Sequence, residues 1–246
     1  MANASVELLN LPNLVIEADG SVAETFLHGV DLKNGVLVHN IGVAGRLLTV
    51  DFLGVVDPNL ARTHRTIGSI PIPELASTGP YENAVSPRSA GYLIPAAILD
   101  SGQKIVNGFG EPRQLTPGQE QRLIETRNIE LKFEEGRRLI APTAPSRLSC
   151  IWLAENSDAG RAVILSMLPN AYITAVRVEH CAAAAIADAN WFDDYLNFPK
   201  PDFIENYWKG KIHPKISMPE ILVDGQVTFT DPQQLAYIKE NGKKLV

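Results

Sequence analysis

The stretch "TPGQEQRLIETRNIELKF", Thr116 to Phe133, places the firmest constraint on how this chain can fold. Thr116 as N-cap, Pro117 as first residue and Gln119 three after the cap form a capping box, in which each end satisfies a backbone donor of the other. A helix of about four turns is expected from it. The segments after it read differently. "PSRLSCIWLAEN" is a buried strand ending in polar residues, and "AYITAVRVEH" sets Ile173, Ala175, Arg177 and Glu179 against Tyr172, Thr174, Val176 and Val178 in strict alternation. "SDAGRAVILSML" between them suits a helix, "PDFIENYWKGK" a shorter one stopped by Gly210, and "DPQQLAYIKENGK" a last one with Asp231 as N-cap and Gly242 as stop. The alanine-rich "CAAAAIADANWFDDYLNF" suits a helix by propensity. Strands and helices mix without regular alternation, so an α+β fold is expected rather than a doubly wound sheet.

The first 58 residues differ from the rest. They are rich in valine and leucine without a helical period, and Asp19-Gly20 and Asn34-Gly35 are hairpin dipeptides. A small β module over 1–58 is expected, followed after "VVDPNLART" by a second unit over 59–246 that opens with a short strand near residues 62–67. Residues 79–113 are dense in Gly, Pro, Ser and Asn around one apolar piece, "YLIPAAIL", interrupted by Pro95. So long a loop within a compact domain suggests a functional lid or a poorly ordered segment. "MPEILVDGQVTF" reads as two strands with Asp224-Gly225 as a tight hairpin turn, Glu220 and Leu222 sharing one face and Ile221 and Val223 the other.

Composition excludes several classes. With 45 % hydrophobic and 20 % charged residues, and no apolar run near the roughly 18 residues that span a bilayer, the 246-residue chain reads as globular and not membrane-inserted. A formal charge of −6 gives no global attraction to nucleic acid. Cys150 and Cys181 fit neither a metal-ligand spacing nor a secreted disulfide pattern, and the acidic amino terminus lacks signal-peptide order, so a cytoplasmic location is expected; delivery by a specialised apparatus is a separate matter. His180-Cys181 lacks further spaced ligands, and no metal site is expected. No phosphate-binding glycine loop, dinucleotide fingerprint or G-x-S-x-G elbow is present.

Four pieces stand in a particular order: "THRTIGSI", "ETRNIELKFEEGRRLIAPTAPSRLSCIWL", "NYWKGK" and "PEILVDGQVTF". This order resembles ADP-ribosyltransferase-like domains, in particular uncharacterised bacterial and phage proteins with an early His-x-Thr strand, a Glu-x-x-Arg helix leading to Pro-Ser-Arg-Leu-Ser, a Tyr-Trp-x-Gly turn and a final Glu-x-Leu-Val strand. The resemblance covers roughly residues 60–232. It implies a split β-sheet core with flanking helices, and a mono-ADP-ribosyltransferase that takes NAD as substrate, releases nicotinamide and modifies a macromolecular acceptor, protein or nucleic acid. The amino-terminal module and the long 79–113 loop depart from the pattern. NAD hydrolysis, or a non-catalytic binding protein on the same fold, are the alternatives.

The resemblance makes Glu220 the catalytic acid and His64, with Thr66 beside it, the ribose contact. Arg147 and Ser149, expected on one strand face, would face the pyrophosphate, since an arginine can clasp it bidentately. Tyr207 could stack on nicotinamide or a base. Ordinary structural roles compete at each position: an edge-strand charge for Glu220, a strand-end histidine for His64, core packing for Tyr207 and Trp208. Arg127 in the long helix could equally pair with Glu125 or Glu130.

Overall fold

The computed structural model describes residues 24–57, 59, 65–77, 86–106 and 112–244. Five strands, β1 (Thr25–Val30), β2 (Arg46–Leu48), β3 (Ile151–Glu155), β4 (Tyr172–Asp188) and β5 (Pro219–Phe229), form one sheet in the order β2-β5-β3-β1-β4. Every pairing is antiparallel, and β4 also pairs with β5, so β5, β3, β1 and β4 close on themselves. The helices are α1 (Gly35–Ala44), α2 (Val50–Val56), α3 (Ile72–Leu75), α4 (Ile94–Asp100), α5 (Pro117–Ile140), α6 (Asp158–Met167), α7 (Ala189–Asn197), α8 (Pro201–Trp208) and α9 (Pro232–Asn241). The class is mixed α+β.

The sheet has two apolar faces because β5 is buried on both. Ile221, Val223 and Val227 enter a core with Phe26, Val176, Val178 and the helix residues Val38, Ile41 and Ile238. Leu222 joins a second, aromatic core of Phe133, Trp191, Phe192, Tyr195, Tyr207 and Trp208 under α5, α7 and α8. Glu220 is two residues from Leu222 and therefore shares its side of the strand. Burial follows from that position: a central strand leaves no room for an edge-strand role.

Several expectations are corrected. Residues 25–56 are not a module apart, and the expected boundary at residue 58 does not divide the sheet. β1 lies between β3 and β4, and β2 pairs with Thr228, Val227 and Gln226 of β5. Asn34-Gly35 begins a helix, with the Asn34 side chain accepting from Leu37 N at 3.1 Å, so the asparagine acts as a cap and not as a turn residue. Asp19-Gly20 lies outside the described residues, as does the first half of the strand expected near 62–67; Arg65 and Thr66 are not strand, and Ile67 opens a 3-10 turn, Ile67–Ser69. The helix after the capping box runs for 24 residues, well beyond four turns. Part of the expected loop is helical: Ser89–Leu93 is a π-turn continuing into α4.

The alanine run is strand, with Ala183 to Ala187 paired to Asp224, Val223, Leu222, Ile221 and Glu220 of β5. Propensity is a weak prior, and here pairing and burial override it, the helix starting only where Asp188 caps it. Within "MPEILVDGQVTF", Pro219–Phe229 is likewise one continuous strand of 11 residues, not a hairpin. Both halves pair with β4, and Asp224-Gly225 sits opposite two register shifts in that strand. Gly225 has φ +152°, and a Cβ there would fall 1.9 Å from the His180 carbonyl oxygen. Gly225→Ala is therefore expected to lower stability by roughly 2 kcal/mol. An unchanged denaturation midpoint would show that the two strands can move apart at this point.

Candidate functional site

α5 carries charged residues on its buried face. Arg127, Glu130, Glu134 and Arg137 recur at three- and four-residue spacing, and all are buried together with Leu131 and Phe133. Glu134 and Arg137 form a clamp. Glu134 accepts from Arg137 Nη2 at 2.8 Å, Arg138 Nε at 2.8 Å and the Ser146 hydroxyl at 2.7 Å, while Arg137 Nη1 donates to the carbonyls of Pro142 (3.1 Å) and Ala144 (2.9 Å). These bonds fix the turn after α5, and so decide where Arg147 emerges. Its guanidinium lies 4.1 Å from the Phe192 ring centre, 4.4 Å from Trp152 and 4.9 Å from Tyr207.

The other half of the cluster comes from α8 and β5. Gly136 lets α8 approach α5 closely, since a Cβ there would meet Ile204 at 2.3 Å, and Trp208 Nε1 donates to the Phe133 carbonyl at 2.8 Å. Tyr207 is thereby delivered to the strand. Asp188, capping α7, also accepts from His213 N (3.0 Å), Ser217 Oγ (2.9 Å) and Met218 N (3.1 Å), which holds the chain as it enters β5. Glu220 Oε1 then accepts from Arg147 Nη1 at 2.9 Å and from the Tyr207 hydroxyl. Its Oε2 is buried with no hydrogen-bond partner among the described residues.

Glu130 completes the cluster, with Arg147 Nε 3.3 Å from Oε2 and Arg88 Nε 2.8 Å from Oε1. Its carboxylate, like that of Glu220, is 0 % exposed, and the Arg147 side chain 3 %. The two acids are not equivalent. Burial pushes both upward, but at Glu130 the guanidiniums of Arg147 and Arg88 outweigh it and hold the carboxyl below its ordinary range. At Glu220 burial prevails over Arg147 and the Tyr207 hydrogen bond, and the carboxyl titrates above that range. Burial also raises the Tyr207 phenol, which stays protonated and donates.

Of the residues singled out in the sequence, the structure brings Glu220, Arg147 and Tyr207 together. Ser149 goes elsewhere: its hydroxyl donates to Asp51 Oδ2 at 2.8 Å. Residues 146–150 form a turn, and β3 begins only at Ile151, so strand alternation does not put Arg147 and Ser149 on one face. Thr66 is exposed, its carbonyl accepting from Ser69 in the 3-10 turn. His64 lies outside the described residues. Arg127 pairs with Asp100 instead of Glu125 or Glu130. Tyr207 donates its hydroxyl to Glu220 while its ring meets Phe133 edge-on, at 5.3 Å between centres. Arg88 and Trp152 carry no sequence-based expectation, and Glu130 has one only as a possible partner of Arg127. A carboxylate spaced one turn before the Glu134-x-x-Arg137 pair was the available signal for Glu130; nothing local marks Arg88.

A histidine bonds to the backbone of the strand that carries Trp152. His28 on β1 lies 2.9 Å through Nδ1 from the Trp152 carbonyl, and its Nε2 is buried without a partner among the described residues. Burial lowers its pKa below 6.5, against the Trp152 hydrogen bond. With the folded value below the unfolded one, its contribution to stability is complete above about pH 6.5 and is lost as pH falls through the folded pKa. Melting temperature should fall in that window, and the fall should be shallower in His28→Gln; identical profiles would show that His28 does not carry it.

Together these features define a mixed α+β protein with a buried, aromatic-lined pair of carboxylates bridged by one arginine. Residues 117–238 match the model of a family described as a protein of unknown function (DUF2441). The matched span holds Glu130, Arg147, Tyr207 and Glu220, and leaves out Arg88. No curated protein matches the chain. Among the described residues no cluster of His, Cys, Asp and Glu could hold a metal ion, and no helix is long and apolar enough to cross a membrane.

Proposed function

We propose that the protein transfers ADP-ribose from NAD to a macromolecular acceptor, protein or nucleic acid, on a split-sheet core of the ADP-ribosyltransferase type, with Glu220 as the catalytic carboxylate. The observation that carries this reading is the state of Glu220. One oxygen is fixed by Arg147 and Tyr207, while the other is buried and without a partner among the described residues. A carboxylate held at one oxygen is oriented to receive a ribose hydroxyl at the other. In the reaction the bond between ribose C1′ and the nicotinamide nitrogen breaks, its electron pair leaves with neutral nicotinamide, and an acceptor nucleophile attacks C1′ and gives up a proton. A fixed negative charge favours the oxocarbenium-like state between. His64 and Thr66 remain the proposed ribose contacts, and Arg147 is assigned to holding Glu220.

A second reading is favoured by burial itself. With both acids fully buried and Arg147 nearly so, the cluster has the form of a structural ion network in a non-catalytic protein. The first reading requires the cover over Glu220 to move. Incubating the protein with NAD and measuring released nicotinamide separates the two; added lysate with labelled NAD then distinguishes transfer from hydrolysis. Release is expected, and its absence with every acceptor would leave the structural network standing.

A further inference from the structure

We propose that the slot made by Trp152, Tyr92 and Phe192 beside Glu130 is a binding site for a planar organic cation, and that the protein's own Arg88 fills it as a displaceable plug. Two guanidiniums share this slot, and they are held very differently. Arg147 is tied to Glu130, Glu220 and Tyr207 and is 3 % exposed. Arg88 lies 4.5 Å from the Trp152 ring centre, 5.6 Å from Tyr92 and 5.9 Å from Phe192, and its side chain is 24 % exposed. Among the described residues its hydrogen bonds, from Nε and Nη2, go to a single acceptor atom, Glu130 Oε1. Its withdrawal would not strand Glu130, because Arg147 stays at 3.3 and 3.4 Å.

The carrier of Arg88 is an irregular helix start. Arg88 precedes the π-turn Ser89–Leu93, in which Ile94 N–H reaches back to the Ser89 carbonyl, and Pro95 follows directly. Such wide turns are rare and are frequent at functional sites. What the slot offers is an aromatic face with one carboxylate oxygen at its edge. That combination selects a flat, delocalised cation such as a guanidinium or pyridinium over a compact ammonium. A charged nicotinamide ring belongs to this class, but the inference does not depend on NAD chemistry.

The probe is methylguanidinium, with methylammonium as control. Arg88→Ala should bind methylguanidinium saturably, read by intrinsic fluorescence and melting temperature, at least about tenfold more tightly than wild type, because the competing side chain is gone. Methylammonium should not substitute for it, and adding Glu130→Gln should abolish binding. Absence of saturable binding, equal binding by wild type, or binding that survives Glu130→Gln would overturn the proposal. Hydrogen exchange on the wild-type protein gives a second measure that needs no variant. Methylguanidinium should speed exchange in Ser89–Leu93 and leave α5 unchanged; unaltered exchange there would overturn the plug even if Arg88→Ala does not fold. Nicotinamide release plays no part in these readouts, so the proposal and the NAD reading can fail separately.

Discussion

Arg147→Met will destabilise the protein by roughly 3–5 kcal/mol at neutral pH, the range for breaking a buried ion pair from one side. Methionine keeps much of the apolar stem against Trp152 and Phe192, so the loss reports the charge rather than a cavity. Two carboxylates feel it. Among the described residues, Glu220 is left with Tyr207 and Glu130 with Arg88. The sign of the pH dependence follows. In the wild type the depressed Glu130 contributes stability that is present above its unfolded pKa, near 4.5, and is lost as pH falls through the folded value. In the variant both folded values rise relative to the wild type: Glu220, already above its unfolded value, costs more stability as pH increases, and the contribution of Glu130 shrinks. The gap between the two proteins should therefore narrow in acid, and Glu220→Gln combined with Arg147→Met should recover part of the deficit. Chemical denaturation of the wild type, the two single variants and the double variant at pH 5 and pH 7.5 measures this; a gap independent of pH would mean that Arg147 acts through packing.

Glu220→Gln will lower NAD turnover by about 100-fold, which corresponds to roughly 2.7 kcal/mol of transition-state stabilisation. The amide keeps the size of the side chain and an oxygen for Arg147 and Tyr207, but carries no charge to oppose a developing oxocarbenium. The Michaelis constant should change little, since the interaction matters mainly in the transition state. Stability should shift by no more than about 1 kcal/mol, because the wild-type carboxylate already bears a burial penalty that raises its pKa. For the same reason wild-type turnover should rise with pH as Glu220 ionises, with its acidic limb above the ordinary carboxylate range. Equal turnover by wild type and variant would remove Glu220 from the mechanism and leave it as part of the buried network.

Legibility in the sequence followed how local each signal was. The capping box at Thr116, the Asp231 cap and the stop at Gly210 are satisfied by backbone within a few residues, and all stand in the structure. The alternation that places Glu220 with Leu222 likewise belongs to one strand. Reading failed where a segment's state depends on what lies beside it. Asp224-Gly225 is turn chemistry when alone and a bulge when β4 runs along both flanks. The alanines of residues 182–187 are good helix formers, yet they are small enough for the strand to lie under the aromatic helical layer.

The α+β class, the long capped helix and a charged residue at the start of the last strand are legible along the chain, because they rest on caps, periods and turns that short-range physics enforces. Long-range packing sets the rest: residues 25–56 complete the sheet, Arg147 and Ser149 part company, and Arg88 reaches Glu130 from 42 positions away. The physical reason is common to all three. A strand edge, a buried charge and an aromatic face each need a partner, and which segment supplies it is settled by packing across the molecule, not by neighbours along the chain.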